Sequence, residues 1–262
     1  MRELDLAREA ALLGGDIVER YYHDGVAMRS KRPSDLVSDA DIESEKAIVD
    51  FLRRTFPQHA VLAEEMHGDT RSDGNLWIVD PLDGTTNFAH GLPHFAVSIA
   101  HYRQGEPVCG VVYNPVRHEW FTAARDEGAW HGEKRVHVSG ESELTESLIG
   151  LGFYYDRGAM MECTLGAVRE LFQQQIHGVR RFGTASLDLC LVGVGSLEAY
   201  FEYELNPWDF AAGRIFVEEA GGRVTTCDGS PLPLERSTIL ASNGRLHASV
   251  LEIVSRHRPD AP

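Results

Sequence analysis

The stretch Asp80-Pro81-Leu82-Asp83-Gly84-Thr85-Thr86-Asn87-Phe88 constrains this chain more than any other. It follows directly on Leu76-Trp77-Ile78-Val79, an apolar run that reads as a buried strand. Two carboxylates three residues apart, at the mouth of a strand and around a glycine turn, can converge on one point. Such a point holds too much negative charge unless a hard cation sits there, and Mg²⁺ takes oxygen ligands of this kind. The amides after Gly84 would point the same way, and Thr85 adds a hydroxyl. The set suits metal-assisted chemistry on a phosphate. Taken alone, the string reads equally well as a plain surface turn, because Asp-Gly and Pro both favour turns. What decides between the two is the rest of the chain, where acidic clusters recur at other element ends.

The formal net charge of −15 argues against a nucleic-acid partner, because no Lys/Arg-dense stripe is available to neutralise a phosphate backbone. Arg29-Ser30-Lys31-Arg32 and Arg180-Arg181 are too small to reverse that. A small phosphate ester remains accessible if metal ions mediate. Cys109, Cys163, Cys190 and Cys227 lie far apart with no C-x-x-C spacing, so neither a zinc site nor a disulfide framework is indicated. The N-terminus is charged and amphipathic, unlike a signal peptide, and no apolar run reaches membrane-spanning length. A soluble, cytoplasmic protein without a membrane partner is expected.

Leu6, Ala10, Leu13, Ile17 and Tyr21 recur at helical spacing and predict a helix over 4–22, weakened in the middle by Gly14-Gly15. A second helix is predicted over 41–55, and a short strand over 60–63 ends on Glu64-Glu65. Residues 95–138 alternate and are broken by Gln104-Gly105-Glu106-Pro107 and Asn114-Pro115, the pattern of an antiparallel meander. After Gly140 the pattern becomes α/β, with strands over 147–152, 179–182, 197–203, 223–226 and 238–242. Helices are predicted over 160–174, 184–194, 208–219 and 246–256, with Gly221-Gly222 as a stop. There is no repeat, low-complexity stretch or linker. A layered α+β to α/β architecture fits, as one domain over 1–262 whose halves, about 1–140 and 141–262, share an interface.

Four acidic loci sit at element boundaries: Asp39/Asp41, Glu64/Glu65, Asp80/Asp83 and Asp209. Singly, each has an ordinary explanation. Asp41 could cap the helix that follows, Glu64-Glu65 could be a solvated loop, and Asp209 suits the dipole of a first turn. Together they are better explained by a divalent metal site. Competing chemistries lack their signatures: there is no P-loop, no dinucleotide fingerprint, no G-x-S-x-G elbow and no H-E-x-x-H. Most of the twelve histidines read as exposed.

Asp80–Phe88 resembles the first signature of the inositol monophosphatase family. Trp208-Asp209-Phe210-Ala211-Ala212-Gly213, followed by Glu218-Glu219-Ala220-Gly221-Gly222, is similar to its second signature. Asp35-Leu36-Val37-Ser38-Asp39-Ala40-Asp41 and Ala63-Glu64-Glu65 match two upstream motifs. The resemblance implies a layered αβαβα sugar-phosphatase fold, with an antiparallel N-terminal sheet and a C-terminal α/β half. It also implies a lithium-sensitive, Mg²⁺-dependent phosphomonoesterase that uses two to three ions, and a homodimer.

Carried over by residue, Glu64, Asp80 and the Leu82 carbonyl would hold one Mg²⁺, and Asp80, Asp83 and Asp209 a second. A third, weaker ion would lean on Glu64. Thr85 and Asp41, with Glu65 beside them, would orient and deprotonate a water, without a covalent intermediate. Amides near Gly84 and Thr85 would cradle the phosphate. The phosphorylated polyol would meet Asp83, Asp209, Glu202, Gly183, Thr184, Ala185 and Arg180, the last reaching across a dimer. Three positions depart from the family pattern. Asn206 stands where animal enzymes carry a histidine, Glu204 adds a carboxylate near the substrate, and Ser30 or Lys31 falls near a mobile-loop lysine. Inositol 1-phosphate is the leading substrate. Histidinol phosphate comes next, then fructose 1,6-bisphosphate, NADP or 3′-phosphoadenosine nucleotides. A regulatory binding protein is the alternative outside catalysis.

Overall fold

The structure, a computed structural model, describes residues 2–32, 35–65 and 74–259, and the side chains of Lys31, Arg32 and Asp35 lie outside the description. Helix α1 (Arg2–Asp24) runs unbroken through Gly14-Gly15, which the sequence marked as a weak point. The glycines are there for contact. A Cβ on Gly14 would meet Ile48 Cδ1 at 2.5 Å and Ser44 Oγ at 2.7 Å, both on helix α2 (Asp39–Thr55). A short antiparallel pair, β1 (Arg29–Arg32) and β2 (Asp35–Val37), lies between these helices in sequence.

The first large sheet runs in chain order: β3 (Ala60–Ala63), β4 (Asn75–Asp83), β5 (Ala96–Arg103), β6 (Glu106–Asn114), β7 (Glu119–Ala124), β8 (Gly128–His131) and β9 (Lys134–Val136). Its β3–β4 pair is parallel, whereas the meander from β4 to β9 is antiparallel throughout. Helix α3 (Thr85–Ala89) follows β4 at once; five residues are too few to show helical periodicity in a sequence.

The second sheet contains β10 (Leu148–Leu151), β11 (Gly178–Arg180), β12 (Ala199–Leu205), β13 (Arg223–Thr225) and β14 (Ser237–Ser242), in the order β11-β10-β12-β14-β13. β10 is parallel to β11 and β12, and β14 is antiparallel to β12 and β13. Four helices accompany it: α4 (Ala159–Gln173), α5 (Ala185–Gly193), α6 (Pro207–Glu219) and α7 (His247–Arg256).

Four apolar seams join five layers, as expected of an αβαβα fold. Trp77, Val79, Val97 and Ile99 pack on α1 and α2 through Ala10, Ile48 and Leu52. The opposite face of the same sheet, with Ile78, Ala100 and Tyr102, meets Ala211, Ala212 and Ile215 of α6. Leu189, Phe210 and Val217 of α5 and α6 then meet Tyr200, Ile239 and Ala241 of the second sheet. Beyond it, Ile149, Phe201 and Leu240 pack against Ala167 and Leu171 of α4 and Val250 of α7. Strands buried on both faces lose polar alternation, which is why β4 reads as one apolar run. The helices α5 and α6 are thus sandwiched between sheets, and their first turns point to the end of β4.

Candidate active site

Asp80 and Asp83 share a site because β4 bulges. Asp80 pairs with Ser98 and Asp83 with Ala96, so three steps on β4 oppose two on β5. In a regular strand, residues three apart face opposite sides of the sheet; one extra residue brings them back to the same side. Pro81, which has no N–H to lose from the ladder, sits inside the bulge. β4 therefore continues through the acidic segment, not ending at Val79. Gly84 follows at φ 93°, and a Cβ there would lie 2.3 Å from Thr184 Oγ1. Both the left-handed backbone and the crowding demand glycine.

Around this point opens a cleft of about 250 Å³, lined by Glu64, Glu65, Asp80, Asp83, Glu202 and Asp209 among others. Several of these carboxylates are anchored by backbone amides. Asp80 Oδ1 accepts from Leu82 N at 3.0 Å, and Asp83 Oδ2 from Ser186 N at 2.7 Å. Asp209 Oδ2 accepts from Asn206 N at 2.7 Å, reaching back over the first turn of α6. Burial, then repulsion from Glu64, Asp83 and Asp209, holds the Asp80 carboxyl well above the ordinary carboxylate range. Burial and then Asp83 and Glu64 do the same to Asp209. Burial also raises Asp83, opposed chiefly by Ser186. Glu202 is pushed up to about 8 by burial, although Tyr200 Oη donates to its Oε2 at 2.6 Å.

These residues fit a divalent cation. The donors are oxygens and the excess charge is negative, so a hard cation removes the penalty that burial imposes. Among the described residues no three acidic, His or Cys side chains meet as a ready-made cage.

Asp41 lies behind the cleft wall and reaches it through Thr85. Thr85 Oγ1 is 3.2 Å from Asp41 Oδ1 and 3.0 Å from the Leu82 carbonyl. Asp41 is not the helix cap: Ser38 is, and Asp41 Oδ2 accepts from Ser38 N at 2.8 Å and Ser38 Oγ at 2.7 Å. Ser38-x-x-Asp41 is a capping box legible in sequence. Asp39, its neighbour, is exposed and pairs with Arg29 at 2.7 Å, away from the cleft.

Gly183, Thr184, Ala185, Glu202 and Asn206 all line the cleft. Arg180 does not; it is exposed on β11 and bonds the Val179 carbonyl, while Arg181 lines the cleft instead. Glu204 also departs from expectation. Period-2 alternation puts Glu202 and Glu204 on one face, but the β12–β14 register shifts after Glu202, and Glu204 pairs with Arg236. The Lys31 side chain falls outside the described residues, and Ser30 is exposed on β1. Sequence reasoning missed Glu45, fully buried on α2, whose Oε2 accepts from Glu65 N at 2.7 Å and so ties down the Glu64-Glu65 turn. Its i, i+4 spacing from Asp41 was the available signal. It also missed Tyr154, Tyr155 and Trp208 on the rim.

The family model described as the Inositol monophosphatase family matches residues 2–258. The chain is 40% identical over 263 residues to a protein of Pseudomonas aeruginosa named Nus factor SuhB, covering 98% of this chain and 97% of that one. It is 41% identical over 254 residues to the inositol-1-monophosphatase of Synechocystis sp., covering 96% of this chain and 88% of the relative. Among solved structures, inositol monophosphatase from Anabaena (Nostoc) sp. superposes with a TM-score of 0.87 at 39% identity, covering 97% and 96% of the two chains.

Proposed function

Because the chain belongs to the inositol monophosphatase family, we propose that it is a Mg²⁺-dependent phosphomonoesterase acting on inositol 1-phosphate. The observation that carries this is the set of buried, mutually repelling carboxylates beside a Thr85–Asp41 contact. Glu64, Asp80, the Leu82 carbonyl, Asp83 and Asp209 would hold two to three Mg²⁺ ions. Bound there, the ions supply the positive charge that lets a dianionic phosphate enter an acidic cleft and that offsets the charge developing during its transfer.

The chain's own residues supply position and proton traffic. Thr85 Oγ1 orients a water for in-line attack, and Asp41 accepts the proton relayed through that hydroxyl, with Glu65 beside the pair. The amides of Gly84 and Thr85 cradle phosphate oxygens. Glu202, Asn206 and the rim Gly183-Thr184-Ala185 take the polyol hydroxyls, with Asp83 and Asp209 at the phosphate end. Arg181 is the cation that faces the substrate from the cleft wall, and Arg180 is left for a partner subunit of a homodimer. We place this activity in a single domain and in the cytoplasm.

Phosphate release by the purified protein with Mg²⁺ tests the reading. The substrates are inositol 1-phosphate, histidinol phosphate, fructose 1,6-bisphosphate and NADP, each with and without chelator and lithium. Preference for inositol 1-phosphate, lost with chelator and lowered by lithium, is the expected result. Preference for histidinol phosphate would keep the chemistry and change the substrate. Relatives named Nus factors favour one further reading, a regulatory binding role carried by the same fold. Release from none of the four substrates would leave that role as the better account.

A further inference from the structure

Behind the cleft, four buried side-chain atoms lack a hydrogen-bond partner: His94 Nε2, Ser186 Oγ and both carboxylate oxygens of Asp188. Such atoms are uncommon in folded proteins, and each calls for an explanation. Asp188 is 1% exposed, one turn into α5. Its Oδ1 lies 3.7 Å from His94 Nε2, within reach of an ion pair and just beyond a hydrogen bond. Stability alone is a weak account of the pair, because apolar residues of similar volume often serve a buried position equally well or better.

Location does account for it. His94 precedes β5, and its carbonyl accepts from Thr184 Oγ1 and from Asn87 Nδ2, both at 2.8 Å. Asn87 Nδ2 also donates to the Phe182 carbonyl at 2.8 Å. These bonds join three pieces: the Gly84–α3 turn, the start of β5 and the first turn of α5. That first turn carries Ser186 N, which holds Asp83 Oδ2, and the rim Thr184-Ala185. The His94 and Asp188 side chains meet across the same joint.

We infer that His94 and Asp188 are a positioning pair, whose contact seats the first turn of α5 against the first sheet and so fixes Asp83 and the substrate rim. Neither residue lines the cleft, and neither touches the reacting atoms. The inference rests on the phosphatase reading only for its kinetic readout.

The experiment compares Asp188→Leu, His94→Phe, Asp188→Asn and the double variant His94→Phe/Asp188→Leu. Each single apolar variant should raise KM and the Mg²⁺ needed for half-maximal rate by about tenfold, with kcat at saturation within roughly threefold of the parent. Asp188→Asn, which keeps an acceptor for the His94 N–H, should recover most of that loss. The double variant should melt like the parent yet keep the raised KM, a split that a packing role alone does not produce. Exchange of the Ser186 amide proton, read by NMR in metal-free protein, is independent of catalysis. Its protection should fall about tenfold in both single apolar variants, and does so even if no tested substrate is hydrolysed. Unchanged Ser186 protection, or a double variant with parental KM, overturns the inference.

Discussion

At the residue scale, the site is assembled from carboxylates that would rather be apart. Asp83 is held by Ser186 N while burial opposes its charge. Asp83→Asn keeps a side-chain oxygen for that amide and removes one negative charge from the cluster. Turnover should fall by a factor on the order of 10²–10³, the scale of losing one preorganised electrostatic group. The metal-free variant should melt no lower than the parent, because repulsion with Asp80 and Asp209 is relieved. Retained turnover would remove Asp83 from the machinery, and a collapsed melt would make it structural. Gly84→Ala is the converse case. A Cβ at φ 93° and 2.3 Å from Thr184 Oγ1 should lower stability by about 1–3 kcal/mol and activity with it. A parental denaturation midpoint would contradict that.

At the scale of elements, first helical turns bring the chemistry together, and each is built twice over. Asp41 and Asp209 occupy the third position of α2 and α6, and each reaches back to the amide at its helix start. The carboxylate that completes the cap is also the one offered to the site. Ser38→Ala removes the cap of α2 and the Oγ bond to Asp41. It should cost about 1 kcal/mol, or roughly 2–4 °C in melting temperature. It should also lower kcat, since Asp41 Oδ1 would hold Thr85 less firmly. A lost melt with parental kcat would separate the two roles. These first turns were located to within a residue or two because caps and Pro are local signals, although the cap of α2 is Ser38 and not Asp41. The bulges were not. One places Asp83 beside Asp80, and another sends Glu204 to Arg236 and away from the cleft lining. A register shift depends on the partner strand, which no single segment encodes. The same holds for Arg180 and Arg181, where the end of β11 decides which arginine turns inward. Glu45 was hidden for a different reason: on α2 it looks like a solvent-facing charge until the Glu64-Glu65 turn is folded onto it.

For the whole molecule, two sets of buried groups pull stability in opposite directions with pH. His101, stacked on Trp77, and His247, held between Thr225 and Ser242, are both lowered by burial to about 4. They are neutral when folded and protonated when unfolded between about pH 4 and 6.5, so unfolding binds protons there and stability rises with pH. Above 6.5 their contribution is complete and flat. Site carboxyls act the other way. Asp80 and Asp209 are raised well above their ordinary value, and Glu202 to about 8. Folded, they keep protons that the unfolded chain has already lost, so stability falls as pH rises through the raised values. Between pH 6.5 and 8 only this second set operates. The melting temperature of metal-free protein should therefore fall across that window. Saturating Mg²⁺, which favours the charged forms of Asp80 and Asp209 and the folded state together, should reduce the fall, leaving the share that Glu202 contributes. At a concentration 100-fold above its Kd, the ion adds about 2.7 kcal/mol. The gain on adding Mg²⁺ should thus be larger at pH 8 than at pH 6.5. A metal-free melt that is level or rising over the window would show that the carboxylates are not held at the cost their burial implies. An equal Mg²⁺ gain at both ends would show that the ion binds elsewhere.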